Sequence, residues 1–259
     1  MGVIGKCKLC SANGLELRKS HILPAWAYKR SRDPDYTNPN PVLIVSERAV
    51  QTSRQLTEYL LCDDCESQFG KVEDLVSRLV YQADGSSVLP TMLGDEITSD
   101  ARGERWMFPG DLPLDSLIYF CASVIWRAAI SRGITQCDLG IYAEPFRAYL
   151  HGETAFPTTA ECVLKFYDEP FDDSGFWANI TYSPVTEERD GYAVAHFVIF
   201  GLQCQLFLGA TLPLTVTTSS SSGPPRVFKL APQMSLAAAW MQRIGAPRLP
   251  KPLKRLPTR

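Results

Sequence analysis

The sequence predicts an α+β protein in two parts: a cysteine-pinned N-terminal module, then a helix-plus-antiparallel-sheet domain. Three observations carry this prediction. Two Cys-x2-Cys pairs bracket the first 65 residues, a long apolar helical stripe opens the second part, and β-branched or aromatic runs then follow one another at hairpin-like spacing.

Taken in order, "ELRKSHILP" reads as a strand carrying His21 and ending at Pro24, and "AWAYKRSR" follows with Lys29, Arg30 and Arg32. A short strand is predicted at 42–46, then a polar connection that leads back to the second cysteine pair. From Cys62 onward, Phe69, Val72, Val76 and Leu79 recur at helical spacing behind Asp63, Asp64 and Glu66, carboxylates that suit a helix start. "ADGSSVLPTMLGDE" (83–96) has the Gly, Ser and Pro content of a connection between domains. The units are therefore drawn as 1–84, 97–247 and a basic, Pro-rich tail, 248–259.

In the second part, Leu114, Leu117, Ile118, Cys121, Ile125 and Ala128 predict a buried helix over 113–131. "IYAEPFRAYLHG" reads as a helix capped at Gly152. "ECVLKFY", "FWANITYS", "YAVAHFVIF" and "QCQLFLG" read as strands, "TTSSSSGPP" as a surface loop and "MSLAAAWMQRI" as a closing helix.

The chain has 259 residues, 45% of them hydrophobic, and a formal charge of −2. That balance excludes a histone-like, whole-surface attraction to nucleic acid and leaves room for a local basic patch. The apolar run 192–216 is broken by His196, Gln203, Gln205, Gly201 and Pro213, so it reads as strands and not as a membrane span. With no basic-then-apolar leader, the expectation is a cytoplasmic protein without a membrane partner. No Ser/His/Asp order, phosphate loop or dinucleotide fingerprint stands out.

Without a secretion signal the eight cysteines are expected as thiols. Two residues between paired cysteines let a tight knuckle aim both sulfurs at one ion, and zinc favours four such ligands. Cys7, Cys10, Cys62 and Cys65 are therefore the predicted ligands of a structural Zn²⁺. Cys121, Cys137, Cys162 and Cys204 lie in apolar segments and read as small core residues.

The order of knuckle, His-Ile-Leu-Pro, long connection and "LLCDDCE" entering a helix resembles the HNH endonuclease family, over residues 5–82. The resemblance implies a treble-clef, ββα-metal fold and metal-dependent hydrolysis of nucleic acid, DNA being the expected partner. It implies that His21 is the general base, that Glu66 sits at a helix metal-ligand position for a catalytic Mg²⁺ or Mn²⁺, and that Asn38 or Asn40 is the middle asparagine. Ser20 stands where the family usually has a first metal ligand, Asp or His, and Gly70 where some members carry a second helix histidine.

One metal ion and one histidine can together activate water and stabilise a phosphoryl oxygen. Lys29, Arg30 and Arg32 would contact the backbone phosphates. The plainer alternatives are a His21 hydrogen-bonded within the zinc module, a solvated helix end for the basic cluster, and a first-turn carboxylate for Glu66. The alternative function is a non-catalytic zinc module mediating protein or nucleic-acid interaction. The second domain would bind a protein partner or regulate. His151, at a helix end, and His196, in an apolar strand, receive no catalytic part.

Overall fold

The structure is a computed structural model that describes residues 2–32, 42–45, 48–51, 53–80, 87–99, 105–131, 135–167, 181–217, 220–222 and 228–231. Asn38, Asn40, the closing helix and the 248–259 tail lie outside the described residues.

The first part is built on a three-stranded antiparallel sheet. Its strands are β1 (Val3–Gly5), β2 (Leu15–His21) and β5 (Thr57–Cys62), in the order β1-β2-β5. Helix α1 (Ala25–Arg30) starts directly after Pro24, and a separate hairpin pairs β3 (Val42–Val45) with β4 (Arg48–Gln51). Helix α2 (Asp63–Val80) follows β5 without a break, with Asp63, Asp64 and Glu66 in its first turn, where carboxylates offset the exposed N–H groups. The polar connection predicted after residue 46 thus contains two strands. β5 was missed because "TEYLLC" shows no alternation: Leu60, Leu61 and Cys62 are buried in succession, on both faces of the strand.

The second part is a seven-stranded sheet in the order β6-β7-β12-β8-β11-β10-β9. The strands are β6 (Glu96–Ser99), β7 (Arg105–Met107), β8 (Ala160–Tyr167), β9 (Thr181–Arg189), β10 (Tyr192–Ile199), β11 (Leu202–Leu208) and β12 (Phe228–Ala231). All pairings are antiparallel except β12 with β8. Helix α3 (Leu114–Ile130) lies across β8 to β11, and α4 (Ala143–Leu150) packs on α3 and ends before Gly152, whose φ of 81° supplies the left-handed cap. Leu117, Phe120, Cys121, Val124 and Ile125 are fully buried, and Phe120 meets Phe197 edge-on at 6.0 Å. Each large apolar side chain removed from water here contributes about 1.5–3 kcal/mol. A last short helix, α5, covers Leu214–Thr217.

Strands before residue 81 and strands after residue 95 belong to different sheets, yet the two parts share one continuous apolar core. Helices α2 and α3 make the join. Phe69 packs edge-on against Tyr119 at 6.0 Å and Trp126 at 6.4 Å, while the Arg127 guanidinium sits 5.3 Å over the Phe69 ring and pairs with Glu73. Gln68 donates to Tyr119 Oη at 2.8 Å and to the Leu150 carbonyl at 3.0 Å. Trp26 stacks on Phe200 at 5.7 Å.

Two local expectations are corrected. Phe200 was placed in a strand; it forms with Gly201 the two-residue turn between β10 and β11, at φ of 46° and 81°, the mirror-image geometry that matches strand twist. Of the Ser-rich "surface loop", Ser220 and Ser221 are fully buried. They line β8: Ser221 N–H donates to the Cys162 carbonyl at 2.6 Å, Ser221 Oγ accepts from Leu164 N–H at 3.2 Å, and Ser220 and Ser222 both donate to Glu161. Hydroxyls that read as solvent-loving in sequence serve here as backbone partners.

Candidate metal centre and adjoining groove

The two knuckles converge because β2 and β5 pair. Leu17 lies opposite Cys62, which brings the loop before β2 against the start of α2. The Cys7–Cys10 turn closes with Cys7 N–H donating to the Ala12 carbonyl at 3.0 Å and Ser11 N–H to the Cys7 carbonyl at 3.1 Å, and Ser11 takes a left-handed φ of 62°. Lys8 N–H bonds the Leu60 carbonyl at 2.9 Å, so the knuckle is stitched to β5.

The four sulfurs of Cys7, Cys10, Cys62 and Cys65 all lie within 4.8 Å of one another, with Cys10 and Cys62 at 3.9 Å, and all four are free thiols. Tetrahedral ligands about 2.3 Å from zinc would stand about 3.8 Å apart, so the donor set fits such an ion in both chemistry and spacing. The cluster can hold a metal such as zinc. Burial pushes the Cys7 thiol up, but backbone N–H groups of Cys62, Cys10 and Leu9 outweigh it and bring the group down to about 7. Cys10 and Cys65 are pushed up, first by burial and then by neighbouring sulfurs. A cation among them would relieve that crowding.

His21, at the end of β2, faces away from the cluster into an open groove of about 700 Å³ lined also by Lys19, Ser53, Arg54, Gln55 and Thr57. Its Nε2 lies 2.6 Å from Gln55 Oε1, and its ring stands 6.1 Å from that of Tyr28. Successive strand residues point to opposite faces. Ser20 accordingly turns toward α2, fully buried, and donates to Glu66 Oε2 at 2.6 Å.

No family model, curated protein or solved structure matches the chain. The functional reading therefore rests on the geometry.

Of the residues singled out from sequence, the four cysteines come together, and Glu66 meets Ser20, the neighbour of His21. The α1 basic cluster divides. Lys29 and Arg32 are exposed, whereas Arg30 donates to the Ser77 carbonyl at 3.1 Å and lies 5.5 Å over Trp26, tying α1 to α2. His151 caps α4 and contacts Glu153 at 2.9 Å; His196 is buried in β10 beside Glu187 at 3.2 Å. Lys19, Arg54 and Gln55 escaped the sequence reading. The polar "SRQ" before β5 was the only signal for Arg54 and Gln55, and Lys19 stood unremarked two positions before His21 in "ELRKSHILP"; both became informative once β5 paired with β2. Among the described residues no helix is long and apolar enough to cross a membrane.

Proposed function

We propose that residues 5–82 form an HNH-like, treble-clef module, pinned by one zinc on Cys7, Cys10, Cys62 and Cys65, that binds nucleic acid and hydrolyses its phosphodiester bonds. The observation that supports this most is His21 standing in a groove with Lys19 and Arg54: an acid–base group beside two cations, in an opening suited to a phosphate backbone. His21 takes a proton from the attacking water. Lys19 and Arg54 hold phosphate oxygens, and the exposed Lys29 and Arg32 add positive charge to the module. Glu66 would be the carboxylate for Mg²⁺ or Mn²⁺, an ion that would supply charge stabilisation at the phosphoryl group. Because the Ser20 contact holds Glu66 on the face of β2 opposite His21, reaching the groove requires that this contact open. The second part of the chain contributes a surface for a protein partner or regulator.

A second reading, a zinc module that binds nucleic acid without cutting it, draws support from one contact. Glu66 is engaged by the Ser20 hydroxyl on the face of β2 opposite His21, and among the described residues the four cysteines form the one cluster of three or more metal-ligating side chains. A carboxylate and a neutral hydroxyl make a weak divalent site. Incubating the protein with single- and double-stranded DNA and RNA, with and without Mg²⁺ or Mn²⁺, separates the two. Metal-dependent cleavage lost in Glu66→Ala supports the nuclease. Retention of substrate on the protein with no cleavage supports the binding module.

A further inference from the structure

Gln55 lies in the stretch that links the β3–β4 hairpin to β5, thirty-four positions from His21 in sequence. Its carbonyl oxygen approaches His21 Nε2 at 2.6 Å. An amide oxygen only accepts hydrogen bonds, so with the Gln55 amide in this orientation the imidazole nitrogen facing it donates. The proton of the neutral ring then resides on Nε2 and the lone pair on Nδ1.

The backbone that carries the acceptor is held on both sides. The backbone of the next residue, Leu56, donates its N–H to Tyr28 Oη at 3.0 Å and accepts from Ile22 N–H at 2.9 Å. Ile22 follows His21 directly, so histidine and glutamine are fixed in one frame by adjacent backbone bonds. Tyr28 is partly buried, and that burial pushes its hydroxyl pKa up, so it remains a neutral donor and acceptor. The Tyr28 ring also flanks His21 at 6.1 Å.

We infer that Gln55 is the positioning residue of His21: it selects the Nε2–H tautomer and turns Nδ1 toward the groove as the atom that exchanges protons. The inference rests on the reading of His21 as an acid–base group. Nδ1 would accept the proton of the attacking water and return it to solvent or to the leaving oxygen, with the Nε2–H···O bond kept throughout. The Ile22–Leu56–Tyr28 frame supplies the rigidity that such a role requires.

The test uses the full chain with zinc bound and ¹⁵N-labelled histidine, with the ring nitrogens read by NMR in the neutral form and no substrate present. The expected result is an Nε2–H tautomer in the parent protein, a mixed or reversed tautomer in Gln55→Met, and restoration in Gln55→Glu, which again offers an acceptor oxygen. Unchanged zinc content verifies that the Met variant is folded. In cleavage assays Gln55→Met is expected to be slower by about 10- to 100-fold, as for loss of an outer partner that orients a reactive side chain, with Gln55→Glu recovering part of that loss. An Nδ1–H tautomer in the parent protein, or a tautomer unmoved by Gln55→Met, would overturn the inference. Because the tautomer is read without substrate, an absence of cleavage counts against the nuclease reading alone.

Discussion

The two halves of the chain both bury cysteine, and the sulfurs meet different surroundings. In the first half four thiols are drawn from two distant turns into one cluster, where backbone N–H groups point at Cys7 and bring it down to about 7. In the second half Cys121, Cys137 and Cys204 lie in the apolar core, and burial pushes each of them up, Cys137 to about 11. Burial in an apolar core makes a thiol inert even beside other sulfurs, as Cys121 is beside Cys162 and Cys204; converging backbone N–H donors are what set the first cluster apart and suit it to a cation. Within one shared core, the first half gathers its strands and α2 around a four-thiol cluster, and the second packs an apolar helix on a sheet.

The sharpest way to break this comparison is to apply one substitution to both halves. Cys62→Ser is expected to abolish binding of one zinc per chain, and with it a stabilisation on the order of 10 kcal/mol, the scale of structural zinc sites. Because α2 carries both Cys65 and Phe69, the loss should spread into the α2–α3 packing and lower the unfolding transition of the whole chain. Cys204→Ser is expected to keep the zinc and cost about 1–3 kcal/mol, the penalty for a hydroxyl in an apolar core. Elemental analysis together with urea unfolding checks both. Full zinc in Cys62→Ser would contradict the assignment.

Backbone strain sharpens the contrast. Ser11 and Phe200 both hold a left-handed φ, at 62° and 46°. Phe200 is almost fully buried and stacks on Trp26, so Phe200→Gly should relieve strain yet lose about 3–5 kcal/mol of packing between the halves, read from denaturant midpoints. At the exposed Ser11, glycine has nothing to lose and should stabilise by up to about 1 kcal/mol, which for a chain of this size is a rise in melting temperature of about 2–4 °C.

Between these two in size lies a pH effect confined to the second half. Burial, reinforced by Arg189, lowers His196 from 6.5 to about 4, outweighing the favourable contact with Glu187. The unfolded chain therefore binds more protons than the folded one between those values, and stability falls as pH drops from 6.5 toward 4, by up to about 3 kcal/mol. Urea midpoints at pH 7 and 4.5 should show this slope, and His196→Gln should flatten it.

What could be read from sequence follows the same division. The α3 stripe, the α2 start and the four clustered cysteines were legible because each is a local pattern: periodicity, first-turn carboxylates, a two-residue spacing. The 113–131 expectation and the observed Leu114–Ile130 nearly coincide. The groove was not legible. Gln55 and Arg54 acquire meaning only when β5 lies beside β2, a pairing that spans more than thirty residues. Arg30 looked like part of a phosphate-binding cluster, but its hydrogen bond to Ser77 depends on where α2 passes. Strands β6 and β7 escaped because segments of four and three residues are too short to show an alternation.

The most direct test of the account is a comparison of zinc-loaded parent protein with His21→Ala on nucleic-acid substrates in Mg²⁺ or Mn²⁺. The account predicts metal-dependent cleavage by the parent, a rate about 10²- to 10⁴-fold lower in His21→Ala, and one zinc per chain in both. Cleavage that survives the substitution, or a parent protein that cuts neither single- nor double-stranded DNA or RNA, would contradict it.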